Sequence, residues 1–243
     1  MSAEFRVITF NMRKGKGIRR SQPELEEIVR ELARRKPDLL LCQEVFHEHR
    51  GLSQSHRLAH GMELLHRYEP NAEYKRGHHG NATFSRFPIS RHGNLDISTN
   101  PIERRGVLWT RVHLKAGHDM HVFNTHFGLS ERQRLIQARR VGSYVQEQAE
   151  WEDPVILAGD FNDWTGRADS VIESAGHLSN GMLRLSMRDR TTWSTVRPLF
   201  ALDRIYFRNL ELLNIEVLRG APWSRLSDHF PVQATFRLSS HLG

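Results

Sequence analysis

Six times along this chain an apolar run ends in residues that can bind a cation, hold a phosphate or move a proton. These are Phe10-Asn11, Gln43-Glu44, Asn124-Thr125-His126, Gly159-Asp160-Phe161-Asn162, Leu202-Asp203 and Ser227-Asp228-His229. Strand ends with loops attached are where rigid scaffolds present reacting groups, so six such places point to one shared mouth. Glu44 leaves the run LLLCQE, and a carboxylate there must find water, a basic partner or a hard cation; taken singly, a structural salt bridge serves equally well. Asp160 and Asn162 lie one residue apart in a strand-like segment. Their side chains then share a face, and Phe161 turns the other way into apolar packing. A carboxylate and an amide oxygen on one face can bind a divalent ion or its water, although an Asx-turn after a strand is an equal reading of that pair alone. In Asp228-His229, adjacent residues can serve metal and substrate. A histidine that moves protons near neutral pH needs an orienting partner, for which Asp203 is the best remaining carboxylate. Histidines such as His47, His49, His56 and His60 read as surface residues.

The elements that must position these groups follow from periodicity. Strands are expected at 5–11, 38–44, 72–76, 80–86, 94–98, 106–114, 119–126, through VILAGDF, and at 202–207, 211–219 and 230–237. Helices are expected at 23–35, 53–66, 130–148 and 167–175. Two halves of mixed strands with helices outside predict an α/β fold: a four-layer sandwich of two facing, mixed and mostly antiparallel sheets flanked by helices. With no repeat or linker, the 243 residues are read as a single domain, 1–243.

Composition narrows the classes. Thirty-five Lys and Arg against 28 Asp and Glu give a net charge of +7, which favours anionic partners over neutral ones. Arg13, Lys14, Lys16, Arg19 and Arg20 cluster directly after Asn11 and are the candidate nucleic-acid contacts. No apolar run approaches a membrane span, and no exposed apolar hairpin or amphipathic segment of the kind that dips into a bilayer is expected. The start MSAEFRVITFN lacks the pattern of an export signal, and the single cysteine, Cys42, suits a reducing cytoplasm as a small buried thiol. A cytoplasmic, monomeric protein without stable membrane insertion and without an organic cofactor is the expectation.

The motifs TFNMRKG, LCQEV, HHGNATFSRFPI, FNTHFGLS, AGDFNDW, LDRIYF and SDHFPV, taken together and in this order, closely resemble the endonuclease/exonuclease/phosphatase superfamily of metal-dependent phosphoesterases. The resemblance runs from Asn11 to Val232 and implies the four-layer sandwich with its site at one end of the sheets. It implies that Glu44, with Asn11 and Asp228, holds Mg²⁺ or Mn²⁺, and that Asp160 and Asn162 place water and phosphate. It gives His229 the attacking water or a phosphoryl oxygen, Asp203 the orientation of that ring, His126 the phosphate or the role of acid, and Arg105 a phosphate contact. Abasic-site nucleases of the superfamily carry Tyr where this chain has His126, and Asn-Trp-Asn where it has Phe10-Asn11-Met12. His126 resembles pancreatic-type deoxyribonucleases, sphingomyelinases and inositol phosphatases instead. The HHGN, RRGVLW and WSRLSDH segments resemble small bacterial members. The expected activity is a DNA nuclease, exonucleolytic action included, and the alternative is a phospholipid or small-molecule phosphodiesterase or phosphatase. A catalytically dead binding module is disfavoured, because every carboxylate and histidine of the site is present.

Overall fold

Along the first strand-forming segments, neighbouring residues part company: Val7, Leu39 and Leu41 face one apolar core, whereas Ile8, Leu40 and Cys42 face another. A strand apolar on both faces must lie between two layers, which is the first sign of a sandwich. The computed structural model describes residues 4–18, 25–51, 53–114 and 117–239. In chain order the first half holds β1 (Phe5–Asn11), α1 (Leu25–Arg35), β2 (Leu39–Glu48), α2 (Gln54–Met62), β3 (Leu65–Tyr74), β4 (Gly77–Ser85), β5 (Ile89–Asp96), β6 (Gly106–His113) and β7 (Asp119–His126). Then follow α3 (Glu131–Gln148), β8 (Val155–Asp160), α4 (Arg167–Gly176), β9 (Ser179–Asn180), β10 (Asp203–Arg208), β11 (Leu210–Val217), α5 (Trp223–Leu226) and β12 (Val232–Leu238).

The strands make two six-stranded sheets, ordered β11-β12-β1-β2-β4-β3 and β5-β6-β7-β8-β10-β9. Each has one parallel pair, β1 with β2 and β7 with β8, and is otherwise antiparallel. The core between the sheets takes Val7, Leu39, Leu41 and Phe236 from one and Val122, Ile156, Ala158 and Ile205 from the other. Outside, Ile28 and Leu32 of α1 and Leu58 of α2 cover the first sheet, and Val141 and Val145 of α3 with Ile172 of α4 cover the second. The fold is therefore the α/β sandwich that the sequence pattern predicts. Among the described residues, no helix is long and apolar enough to cross a membrane.

Several boundaries differ from expectation. The helix expected at 53–66 stops at Met62, because Glu63 takes a left-handed conformation (φ 55°), and β3 begins at Leu65. As an edge strand it is only half covered, so its apolar pattern is weak. The strand expected at 94–98 begins five residues earlier, at Ile89, and ends at Asp96. The strand expected to end at Glu44 runs on to Glu48, past a bulge between Cys42 and Val45. Residues 23–24 of the first expected helix lie outside the described residues.

Candidate active site

Register places the second sheet's polar residues in a row: His126 of β7 lies opposite Asp160 of β8, and Asp160 lies opposite Asp203 of β10. Gly159 makes the β7–β8 approach possible. It has φ +152°, and a Cβ there would sit 1.9 Å from the Thr125 carbonyl oxygen. Across the sandwich, Asn11 and Gln43 are paired at the matching ends of β1 and β2. The Asn11 amide donates to Asp160 Oδ2 at 2.9 Å and so joins the two sheets at the site.

Below that contact lies a buried amide network. Gln43 Nε2 donates to Asn124 Oδ1 (2.8 Å), while Asn124 Nδ2 donates to the carbonyls of Cys42 (3.1 Å) and Ala82 (2.9 Å). Asn81, which the sequence reading did not single out, donates from Nδ2 to the carbonyls of Gly106 and Asn124.

Asp160 is the hub. Besides Asn11, its Oδ2 lies 3.5 Å from His126 Nε2 and 3.6 Å from His229 Nε2, and its Oδ1 accepts the Asn162 backbone N–H at 2.9 Å. That last bond is an Asx-turn, the alternative reading of this pair. Asn162 has left the strand, with φ +48°, and donates from Nδ2 to the Phe127 carbonyl. Burial pushes the Asp160 carboxyl up, Asp203 adds to that, and His229 opposes it.

His229 Nδ1 lies 2.8 Å from Asp203 Oδ2, so the expected dyad is formed, with Nε2 left facing Asp160. Burial works against a charge on this ring, but Asp203, then Asp160 and Asp228, outweigh it and hold its pKa above the ordinary value. Thr192 Oγ1 accepts the backbone N–H groups of Leu202 and Asp203, fixing the aspartate's end of the dyad. Ser227 Oγ bonds the Asn11 carbonyl and accepts the His229 N–H, fixing the other end. His126 is held well below its usual value by burial and then by Arg105, His79 and His229. It is therefore neutral here.

The second group of acceptors lies around the 3₁₀ turn Arg13–Gly15. Glu44 sits at the β2 bulge with φ +54°, a conformation that aims its side chain out of the ladder. Its Oε2 lies 3.8 Å from Lys14 Nζ, and Asp228 Oδ2 lies 3.9 Å from Arg13 Nε. Both separations exceed hydrogen-bond length, so each carboxylate has a counter-charge without being closed off by it. Gln54 pins this turn by donating to the Lys14 carbonyl and accepting from Phe46 N–H. Arg105 donates to the Phe127 carbonyl (2.9 Å) and pairs with Glu103 (2.9 Å). Lys16 is exposed, and Arg19 and Arg20 lie outside the described residues.

Glu44, Asp228 and Asn11 offer oxygen ligands and no thiol, the chemistry that a hard divalent cation takes, and Asn11 Oδ1 also accepts the Arg13 N–H at 3.0 Å. Donor atoms of Asp160, Asp203 and His229 also lie within 4.8 Å of one another. Asp203 already engages His229 Nδ1, so that trio is better built for moving a proton than for caging an ion.

The sequence gave no signal for two further neighbours. Tyr74 O–H lies 2.9 Å from His79 Nε2, and Lys14 Nζ lies 5.0 Å above the Tyr74 ring. Asp163, inside the AGDFNDW motif, turns away from the mouth to pair with Arg204 at 3.2 Å and with Arg134 at 3.6 Å. A hairpin adds a feature that the sequence pattern does not mark. Trp193 and Phe200 exchange backbone hydrogen bonds of 3.0 Å, closing a hairpin whose Val196 and Leu199 are exposed. Polar and proline residues separate these apolar tips, so no periodicity announces them.

Acid, imidazole and amide laid across the matching ends of two facing sheets are the arrangement of an α/β-sandwich phosphoester hydrolase. The chain belongs to the Endonuclease/Exonuclease/phosphatase family, whose profile matches residues 8–229. It is 36% identical over 248 residues to the uncharacterized protein YbhP of Escherichia coli K12, covering 96% of each chain. The fold is shared with an endonuclease/exonuclease/phosphatase of Beutenbergia cavernae (TM-score 0.82, 19% identity, 97% of this chain and 72% of that one). It is also shared with the human Nocturnin catalytic domain carrying a sulfate anion (TM-score 0.78, 20% identity, 97% and 94%). Enzymes of this family are divalent-metal-dependent hydrolases of phosphoesters.

Proposed function

We propose that the protein is a Mg²⁺- or Mn²⁺-dependent phosphodiester hydrolase. The observation that carries this reading is the buried Asp203–His229–Asp160 relay, joined through Asn11 to the oxygen donors around Arg13 and Lys14. Glu44, Asp228 and Asn11 would hold the ion, which when bound neutralises charge on a nonbridging phosphoryl oxygen. The chain's own residues do the rest. Asp160, whose raised pKa makes it a better base, accepts the proton of the attacking water, and Asn162 orients the phosphate. Asp203 accepts from Nδ1 and holds the His229 ring so that Nε2 faces the reacting oxygens. His126 and Arg105 contact the phosphate on the second sheet's side.

The substrate is an anionic diester presented on an extended, negatively charged body. DNA is the reading that net charge and the Arg13–Lys16 turn support. A phospholipid surface is the second reading, favoured by the exposed apolar hairpin 193–200. The test is a metal-stripped enzyme assayed with bis(p-nitrophenyl) phosphate, duplex DNA and phospholipid. Activity should return with Mg²⁺ or Mn²⁺, and full turnover in excess chelator would overturn the proposal.

A further inference from the structure

Nine large apolar side chains are exposed among the described residues, and six of them, Tyr74, Ile102, Leu129, Met187, Val196 and Leu199, lie on or next to connections at the end of the sheets that carries the site. Tyr74 is tied there by its bond to His79. Ile102 and Leu129 flank Glu103, whose Oε1 bonds both Arg105 and the Leu129 N–H. Val196 and Leu199 belong to the hairpin whose Thr195 N–H donates to the Asp228 carbonyl, and Met187 shares with Leu199 the wall of a cleft of about 220 Å³. Ile102 is 93% exposed and Val196 78%, which marks loop tips reaching into solvent rather than the edges of a core. Single exposed apolar residues are ordinary; several on neighbouring connections at one end of a sandwich are not.

The exposed charge beside these tips is mostly positive. Lys75 and Arg76 follow Tyr74, Arg104 lies two residues from Ile102 and Arg197 follows Val196, while Arg13 and Lys16 are exposed on the neighbouring 13–16 turn. Of the carboxylates, Asp96 pairs with Arg104, Glu103 with Arg105 and Glu131 with Arg167, and Glu73 is exposed.

We propose that this rim is a docking surface for an anionic lipid bilayer, its apolar tips entering the headgroup boundary and its basic residues meeting lipid phosphates, so that the mouth opens onto the membrane. Apolar tips interleaved with arginine and lysine fit that partner better than they fit DNA, whose backbone rewards the charges but not Ile102 or Val196. The inference rests on the phosphodiesterase reading for what the docked site would cleave, and takes its lipid branch.

The experiment is vesicle flotation of the full chain, in chelator so that nothing turns over. The probes are vesicles of phosphatidylcholine alone and of phosphatidylcholine with phosphatidylglycerol. The double variant Ile102→Ser/Val196→Ser is compared with wild type, as is Arg197→Gln. Wild type should float with the anionic vesicles and not the neutral ones, and the double variant should bind on the order of 10-fold to 100-fold more weakly. Arg197→Gln should weaken binding roughly 5-fold at low salt and less at high salt. Metal-supplemented hydrolysis of bis(p-nitrophenyl) phosphate should be unchanged in the double variant, which also shows that it is folded. Wild type that ignores anionic vesicles, or a double variant that floats equally well, would overturn the docking proposal. So would loss of duplex DNA binding in the double variant with no vesicle binding by wild type. Vesicle binding without any hydrolysis of the soluble diester would leave docking supported and sink the catalytic reading instead.

Discussion

His229 is a ring whose two nitrogens have different tasks, and the 2.8 Å contact with Asp203 decides which nitrogen is free. His229→Ala should lower turnover by roughly 100-fold to 10,000-fold, the range of a lost proton-transfer group. Asp203→Asn should also be severe, because an amide lacks the negative charge that holds the His229 pKa up and anchors Nδ1. Steady-state rates on a soluble diester, with circular dichroism to confirm folding, check both; a His229→Ala enzyme near wild-type rate would make this histidine structural. His79 offers a different test. Burial, then Lys14, Arg105 and His78, lower its pKa to about 3, and burial, then His78, lowers that of His47 to about 4. Above about pH 6.5 both are neutral, folded or unfolded, and nothing is lost. As pH falls from there toward 4 and then 3, the unfolded chain binds protons that the folded chain resists, so stability falls through that window. Tm should drop as pH is lowered from 7 to 4.5, and His79→Asn should drop less steeply.

At the scale of elements, the site depends on how closely β7 and β8 approach and on the amide network that joins the sheets. Gly159→Ala would place a methyl 1.9 Å from the Thr125 carbonyl and has to part the strands carrying His126 and Asp160. It should cost at least about 2 kcal/mol and reduce activity further than the stability loss explains. Asn124→Leu would strip partners from Gln43 and from the Cys42 and Ala82 carbonyls, groups with almost no access to water. Each orphaned group costs roughly 1–3 kcal/mol, so a loss of about 3 kcal/mol or more in chemical denaturation is expected. A loss under about 1 kcal/mol would mean that water enters beneath the site. Cys42, on the opposite face of β2 beneath α1 and α2, has its thiol pushed up by burial and should resist thiol reagents until the chain unfolds.

For the whole molecule, cation binding and stability should be linked, because an ion that binds the folded chain alone stabilises it by mass action. Glu44 and Asp228 bring negative charge to one mouth, with Lys14 and Arg13 as near but loose counter-charges. Added Mg²⁺ should therefore raise Tm, by a few degrees at concentrations well above Kd, and Glu44→Gln should remove most of that rise. An unchanged Tm across a Mg²⁺ titration in wild type would argue against this donor set. The same loops give the mouth its charge and its exposed apolar tips, so fold stability and partner binding should separate cleanly. Surface variants such as Ile102→Ser should leave the unfolding free energy within about 0.5 kcal/mol of wild type.

The sequence by itself determined the layers and most of the chemistry. Near-continuous apolar runs such as those of β1 and β2 can be satisfied only by burying both faces, and the strand-end position of Asp160, Asp203 and His229 is local information that register then converts into contact. It also determined that the donors are oxygen and nitrogen, since the one thiol sits in an apolar run. What only the tertiary structure decided are the features that depend on distant partners. The β2 bulge that aims Glu44, the edge strand β3 with its weak alternation, and the bond from Tyr74 to His79 leave no periodic trace. The division of labour inside GDFND was likewise hidden. Asp160 faces the site, while Asp163, three residues on, is drawn into the buried pair with Arg204, a partner 41 positions away. The apolar rim was the least legible feature. Ile102, Leu129, Val196 and Leu199 follow no period in the sequence, and only the fold brings their three connections to one end of the two sheets.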